Sequence, residues 1–152
     1  MRYLTALVML IGLDAAPVSA KAHASCPTEM YQRADASLVG AARSWGALSR
    51  HHRTFVSCDD GALAEGYSEA VVTMLADRWE QLDGLVALSG RDVTFRKWAI
   101  RHIDATASTD DLKKVVRNAT RCNGPNAKTL CREIGSAARN ALKENNYLRR
   151  LP

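Results

Sequence analysis

Asp59-Asp60-Gly61-Ala62-Leu63-Ala64-Glu65-Gly66-Tyr67-Ser68-Glu69-Ala70-Val71-Val72-Thr73-Met74-Leu75 reads as one helix. Leu63, Tyr67, Ala70, Val71, Met74 and Leu75 recur at three- and four-residue spacing, which lines them along one face. Asp59 and Asp60 stand just ahead of that face, where carboxylates cap free N–H groups and complement the helix dipole. The same periodicity continues on both sides, and the alternation that strands require is scarce. Only His52 to Ser57 passes for a short extended stretch.

Upstream, a helix is expected from Thr28 to about Arg50, with Leu38, Ala41, Ala42, Trp45 and Leu48 on its inner face and Thr28 as its cap. Downstream, Trp79 to Leu88 forms a segment closed by Ser89-Gly90, and Asp92 caps a helix that turns Phe95, Trp98, Ala99 and Ile103 inward. Ser108 and Asp111 have the spacing of a capping box ahead of Leu112, Val115, Val116 and Ala119, in a helix ending near Cys122. Asn126 opens the last helix, with Leu130, Ile134, Ala137, Ala138, Ala141 and Leu142 as its inner stripe. The pattern predicts an all-α compact bundle of five to six helices. Residues 26–144 form a single helical domain and residues 145–152 a frayed tail.

The first twenty residues read differently. Arg2 precedes an apolar run from Leu4 to Leu13, too short to span a bilayer, and small residues follow at Val18-Ser19-Ala20. A secretory signal peptide over residues 1–20 is expected, with Ala22-His23-Ala24 as the alternative cleavage site. Lipidation of Cys26 is disfavoured because His23 stands where an aliphatic residue is needed. No later stretch has the length and apolarity of a transmembrane segment, so a periplasmic or secreted protein is expected.

Export makes disulfides the natural state of Cys26, Cys58, Cys122 and Cys131, and close Cys-x-x-Cys pairs of the metal-binding kind are missing. Three pairings are open in principle. Cys122 and Cys131 flank the turn Asn123-Gly124-Pro125-Asn126 and make the local pair, which leaves Cys26 with Cys58.

The net charge of +5 is unevenly placed. Residues 21–90 hold six Lys or Arg against nine Asp or Glu, and residues 91–152 hold fourteen against six. Lys113, Arg117 and Arg121 step along one helix face, widened by Lys114, and are the candidate partner-binding residues; the other reading of such a stripe is a solvated helix face. Without interleaved aromatics it does not suit nucleic acid.

Catalytic candidates are sparse. His102, Asp104, Ser108, Asp110 and Asp111 crowd one segment, but residues two apart on a helix point in different directions. His102 is therefore read as a helix-end residue and Ser108 as a cap. His51 and His52 should splay apart, in a surface or helix-end role. Glu65 and Glu69, one turn apart, read as solvent-face residues and make a poor glycosidase pair. Trp45, Trp79 and Trp98 read as core or interface anchors. No phosphate loop, nucleophile elbow or metalloprotease signature is present, and the sequence calls for no metal or cofactor.

Cys58-Asp59-Asp60-Gly61, then Gly66-Tyr67 on a helix and a late cysteine pair, resembles the small periplasmic immunity proteins of type VI secretion systems, the Rap and Tai group. The resemblance covers residues 58–131, and Ala70 stands where the Rap-type pattern has a second glycine. It implies an all-helical, disulfide-bonded, often dimeric protein that blocks a partner enzyme, a toxin, by binding its active site. Two other functions compete with this one. The first is an exported hydrolase or small-molecule binder using His102 to Asp111 with Glu65 or Glu69, and the second is a cell-envelope accessory protein meeting anionic surfaces through its basic half.

Overall fold

The computed structural model describes residues 26–148, and these are all α. Seven helices follow one another: α1 Thr28–Ala41, α2 Trp45–Phe55, α3 Gly61–Asp77, α4 Leu82–Ser89, α5 Val93–Arg101, α6 Thr109–Thr120 and α7 Lys128–Leu148. Short 3-10 turns, Val56–Cys58 and Trp79–Gln81, precede α3 and α4. The expected signal peptide falls on residues outside those described. Among the described residues no helix is long and apolar enough to cross a membrane.

Helix α3 forms the centre. Leu63, Tyr67, Val71 and Met74 are fully buried, and α1 and α6 pack against it. Asp60 caps this helix, its carboxylate accepting from the Gly61 N–H at 2.8 Å. Gly61 itself has φ +54°, a left-handed backbone that glycine adopts without penalty. Gly66 leaves room for Leu38, whose Cδ2 would lie 2.9 Å from an added Cβ.

The expected single helix from Thr28 to Arg50 is two helices, which raises the count to seven. Ser44 takes extended backbone and its side chain accepts from the Ala47 N–H at 3.3 Å, so a new helix starts there. The Ala42 carbonyl left outside α1 accepts from Arg78 Nη1 at 2.9 Å. Leu38, Ala41, Trp45 and Leu48 are buried nonetheless, because the turn carries the apolar stripe from one helix to the next. Thr28 is the first helical residue and not a cap; Pro27 holds that place without a side-chain hydrogen bond.

Two further expectations are corrected. His52 to Ser57 is not extended: it completes α2 and enters the 3-10 turn, satisfying its backbone locally where no strand offers a partner. The tail is not frayed from Asn145, since α7 runs to Leu148. It begins at Lys128, two residues after Asn126.

Both disulfides form as expected. Cys26–Cys58 ties the start of α1 to the turn before α3, and Cys122–Cys131 ties the end of α6 to the first turn of α7. Helices α6 and α7 pack along each other as a hairpin, burying Leu112, Val115, Leu130, Ile134 and Ala138.

Candidate functional site

With Asp60 at the cap, the neighbouring Asp59 turns inward until only 5% of its side chain is exposed. Its Oδ2 accepts from Trp98 Nε1 at 2.8 Å, from Arg101 Nη2 at 2.5 Å and from His102 Nε2 at 3.3 Å. Its Oδ1 lies 3.2 Å from the same histidine nitrogen. Helix α5 ends at Arg101, and that break lets His102 and Asp104 converge on one side chain of α3, Ser68. His102 Nδ1 is 3.0 Å from Ser68 Oγ, which donates to Asp104 Oδ2 at 2.7 Å. Asp104 Oδ1 accepts from the Thr106 N–H at 2.9 Å and hydroxyl at 2.5 Å.

His102 Nε2 faces the Asp59 carboxylate, and Ser68 Oγ, which also lies 3.1 Å from the Ala64 carbonyl, joins His102 Nδ1 to Asp104. Burial alone would raise the Asp59 carboxyl, but the His102 hydrogen bond and charge, the Trp98 N–H and the Arg101 charge hold it below the ordinary range. Burial works the same way on Asp104, and Thr106 and Ser68 outweigh it, so that carboxyl is also lowered.

Asp59, His102 and Ser68 have the connectivity of a carboxylate, base and nucleophile. Their surroundings do not suit that use. Ser68 is 1% exposed and His102 4%, and the Ser68 hydroxyl is engaged by Asp104 and the Ala64 carbonyl. The arrangement acts as a clamp that pins α5 and the turn after it onto α3.

His51 and His52 do splay apart, but both are buried rather than on the surface. His51 Nδ1 meets the Tyr67 hydroxyl at 2.8 Å, and Nε2 meets the Ala34 carbonyl and Ser37 Oγ, each at 3.0 Å. His52 stacks on Trp98 at 4.4 Å between ring centroids, and its buried Nδ1 has no hydrogen-bond partner. Burial lowers both imidazoles below the ordinary histidine value; the Ala34 carbonyl partly offsets this for His51, and the Asp59 charge for His52. Among the described residues no group of three His, Cys, Asp or Glu side chains is placed to hold a metal.

Two open clefts carry opposite charge. Glu65 and Glu69, exposed as expected, line a cleft of about 380 Å³ with Ser108 and Asp111. The structure therefore brings the two glutamates to the 106–111 segment but leaves His102 behind, in the core. Ser108 is a cap, its Oγ accepting from the Asp111 N–H at 3.5 Å. The second cleft, about 500 Å³, lies between α6 and α7 and is lined by Ala119, Thr120, Cys122, Lys128, Cys131, Arg132, Gly135 and Arg139. It holds three cationic side chains and no carboxylate.

The candidate stripe Lys113, Arg117 and Arg121 is exposed. Lys113 pairs with Asp110 at 3.0 Å, and neighbouring Lys114 bridges Asp77 at 2.9 Å and Asp111 at 2.8 Å. Arg117 and Arg121 have no carboxylate partner among the described residues. Lys128, Arg132, Arg139 and Lys143 were not singled out from the sequence, yet they fall within about 60° on the α7 wheel. That spacing was the available signal.

No protein-family model matches the chain, and no curated protein or solved structure matches it.

Proposed function

We propose that this domain is an exported, non-enzymatic protein-binding module that neutralises an enzyme by occupying it, as the periplasmic immunity proteins it resembles do. The observation that carries the reading is the surface of the α6–α7 hairpin. Residues 109–148 hold eight Lys or Arg against four carboxylates, Asp110, Asp111, Glu133 and Glu144. Lys113 and Lys114 are paired with aspartates and Arg96 of α5 takes Glu133 at 2.5 Å, but Arg117, Arg121, Lys128, Arg132 and Arg139 have no carboxylate partner among the described residues. A surface with this cationic excess steers an acidic partner and orients it. Asp59, His102 and Ser68, by contrast, are turned inward and hydrogen-bonded to one another.

The test is capture of partners from periplasmic extract by the tagged protein, with each captured enzyme assayed alone and in complex. A stoichiometric complex that silences its enzyme is the expected result. Recovery of no specific protein, with no protection from any toxin, would overturn the reading. The hydrolase alternative draws on the Asp59–His102–Ser68 connectivity, and labelling of Ser68 by a fluorophosphonate would establish it.

A further inference from the structure

We propose that the groove between α6 and α7 is the docking site for a short acidic segment of the partner protein, a reading that rests on the binding-module function above. Lys128, Arg132 and Arg139 line one wall, and no carboxylate lies among the lining residues. None of the three has a carboxylate partner among the described residues; the Arg132 guanidinium reaches only the Thr129 hydroxyl, at 3.4 Å. Desolvated beside a partner's carboxylates, guanidinium groups form the paired hydrogen bonds that make such contacts specific.

The spacing sets the ligand. From Lys128 to Arg139 is three turns of helix, roughly 16 Å of rise, more than a single phosphate or carboxylate can bridge. An extended peptide of about five residues covers that length. Gly135 sits midway and opens the floor: a Cβ there would lie 3.2 Å from Ala119 Cβ and 3.2 Å from Arg139 Nη1. The Cys122–Cys131 bridge fixes one end of the groove, so little ordering is left for binding.

A membrane surface fits less well. A helix that lies on lipid needs a free apolar face, and α7 has already buried Leu130, Ile134, Ala138 and Ala141 in the core. A concave wall also suits a chain better than a flat bilayer.

The experiment uses the full chain, expressed with its own leader and purified with both disulfides formed, and a fluorescent hexaglutamate peptide as probe. Binding is expected to weaken as salt rises. The R132Q/R139Q variant should weaken it about tenfold or more, and T120E, which places a carboxylate in the groove from an exposed position on α6, should do the same. R43Q/R53Q, which removes two exposed cations outside the hairpin, should bind within about twofold of the parent. Thermal melts confirm that each variant is folded. Unchanged peptide binding in both R132Q/R139Q and T120E would overturn the proposal. So would a preference of the parent for inorganic phosphate, or for vesicles of equal phosphatidylcholine and phosphatidylglycerol, over the peptide. Either failure, with enzyme capture intact, moves the contact elsewhere and leaves the binding-module reading standing.

Discussion

Replacing Asp59 with asparagine keeps the shape of the side chain and removes its charge. The Asn amide oxygen can still accept from Trp98 Nε1, and Arg101, 66% exposed, loses little because solvent screens it. His102 bears the loss: at 5% side-chain exposure, its Nε2 meets a neutral amide in place of the carboxylate. Losing the charged acceptor of a buried hydrogen bond costs about 1.5–3 kcal/mol, and D59N belongs at the high end, about 3 kcal/mol, because both side chains are only 5% exposed. For a domain of this size that lowers Tm by about 12 °C, taking about 4 °C per kcal/mol. Urea and thermal unfolding followed by circular dichroism at pH 7 measure it. The sign with pH is fixed: a depressed carboxyl contributes fully above its unfolded value, about 3.9, and loses that contribution as pH falls through its folded value. The gap between D59N and the parent should therefore narrow below about pH 4. A variant within about 0.5 kcal/mol of the parent at pH 7, or a gap unchanged at pH 3, would refute the clamp.

Three other outcomes follow from the same geometry. Since burial lowers His51 and His52, their contribution is full above about pH 6.5 and is lost as pH falls through the folded values, so the protein should lose stability on mild acidification. H52F, which keeps the stack on Trp98 and removes an unpartnered buried nitrogen, should flatten part of that loss in pH-dependent melts. Loss of Cys26–Cys58, across 32 residues, should cost roughly 3.7 kcal/mol, and loss of Cys122–Cys131, across nine, roughly 2.6 kcal/mol; Cys-to-Ser pairs in urea titrations would reverse that order only if the chain-entropy argument fails. Ser68 should resist a fluorophosphonate in the folded protein, and S68A should cost about 1–2 kcal/mol in urea as Asp104 and His102 lose their bridge.

The helix starts at Asp60, Asp92 and Ser108 were legible because a cap acts over three or four residues and needs nothing distant. The break at Ser44 was not, because the apolar spacing runs through it unbroken and the turn depends on Arg78, 36 residues away, for its Ala42 carbonyl. The clamp was hidden for the same reason: Asp59 and His102 are 43 residues apart. One signal did exist. A helix start uses one capping carboxylate, and the Asp59-Asp60 doublet offered two, so one aspartate was free for another purpose. On a continuous helix His102 and Asp104 would point apart, but α5 stops just short of them. The groove was half legible, since the α7 cations repeat at helical spacing, but only the packing of α6 beside them makes a wall into a cleft.

The two halves of the molecule differ in how far apart in the chain their contacts lie, and this bears on the order of assembly. The α6–α7 hairpin closes through a seven-residue turn and can form before much else is in place. The Asp59–His102 contact waits until 43 residues have been gathered, and the strict hydrogen-bond geometry at its centre is met only when α3 and α5 are docked. Substitutions in the clamp should therefore speed unfolding and leave the refolding rate nearly unchanged, whereas core substitutions in the hairpin, such as Ile134→Val, should slow refolding. Stopped-flow measurements across urea concentration separate the two, and they locate the clamp as the latch that governs how long the folded protein survives.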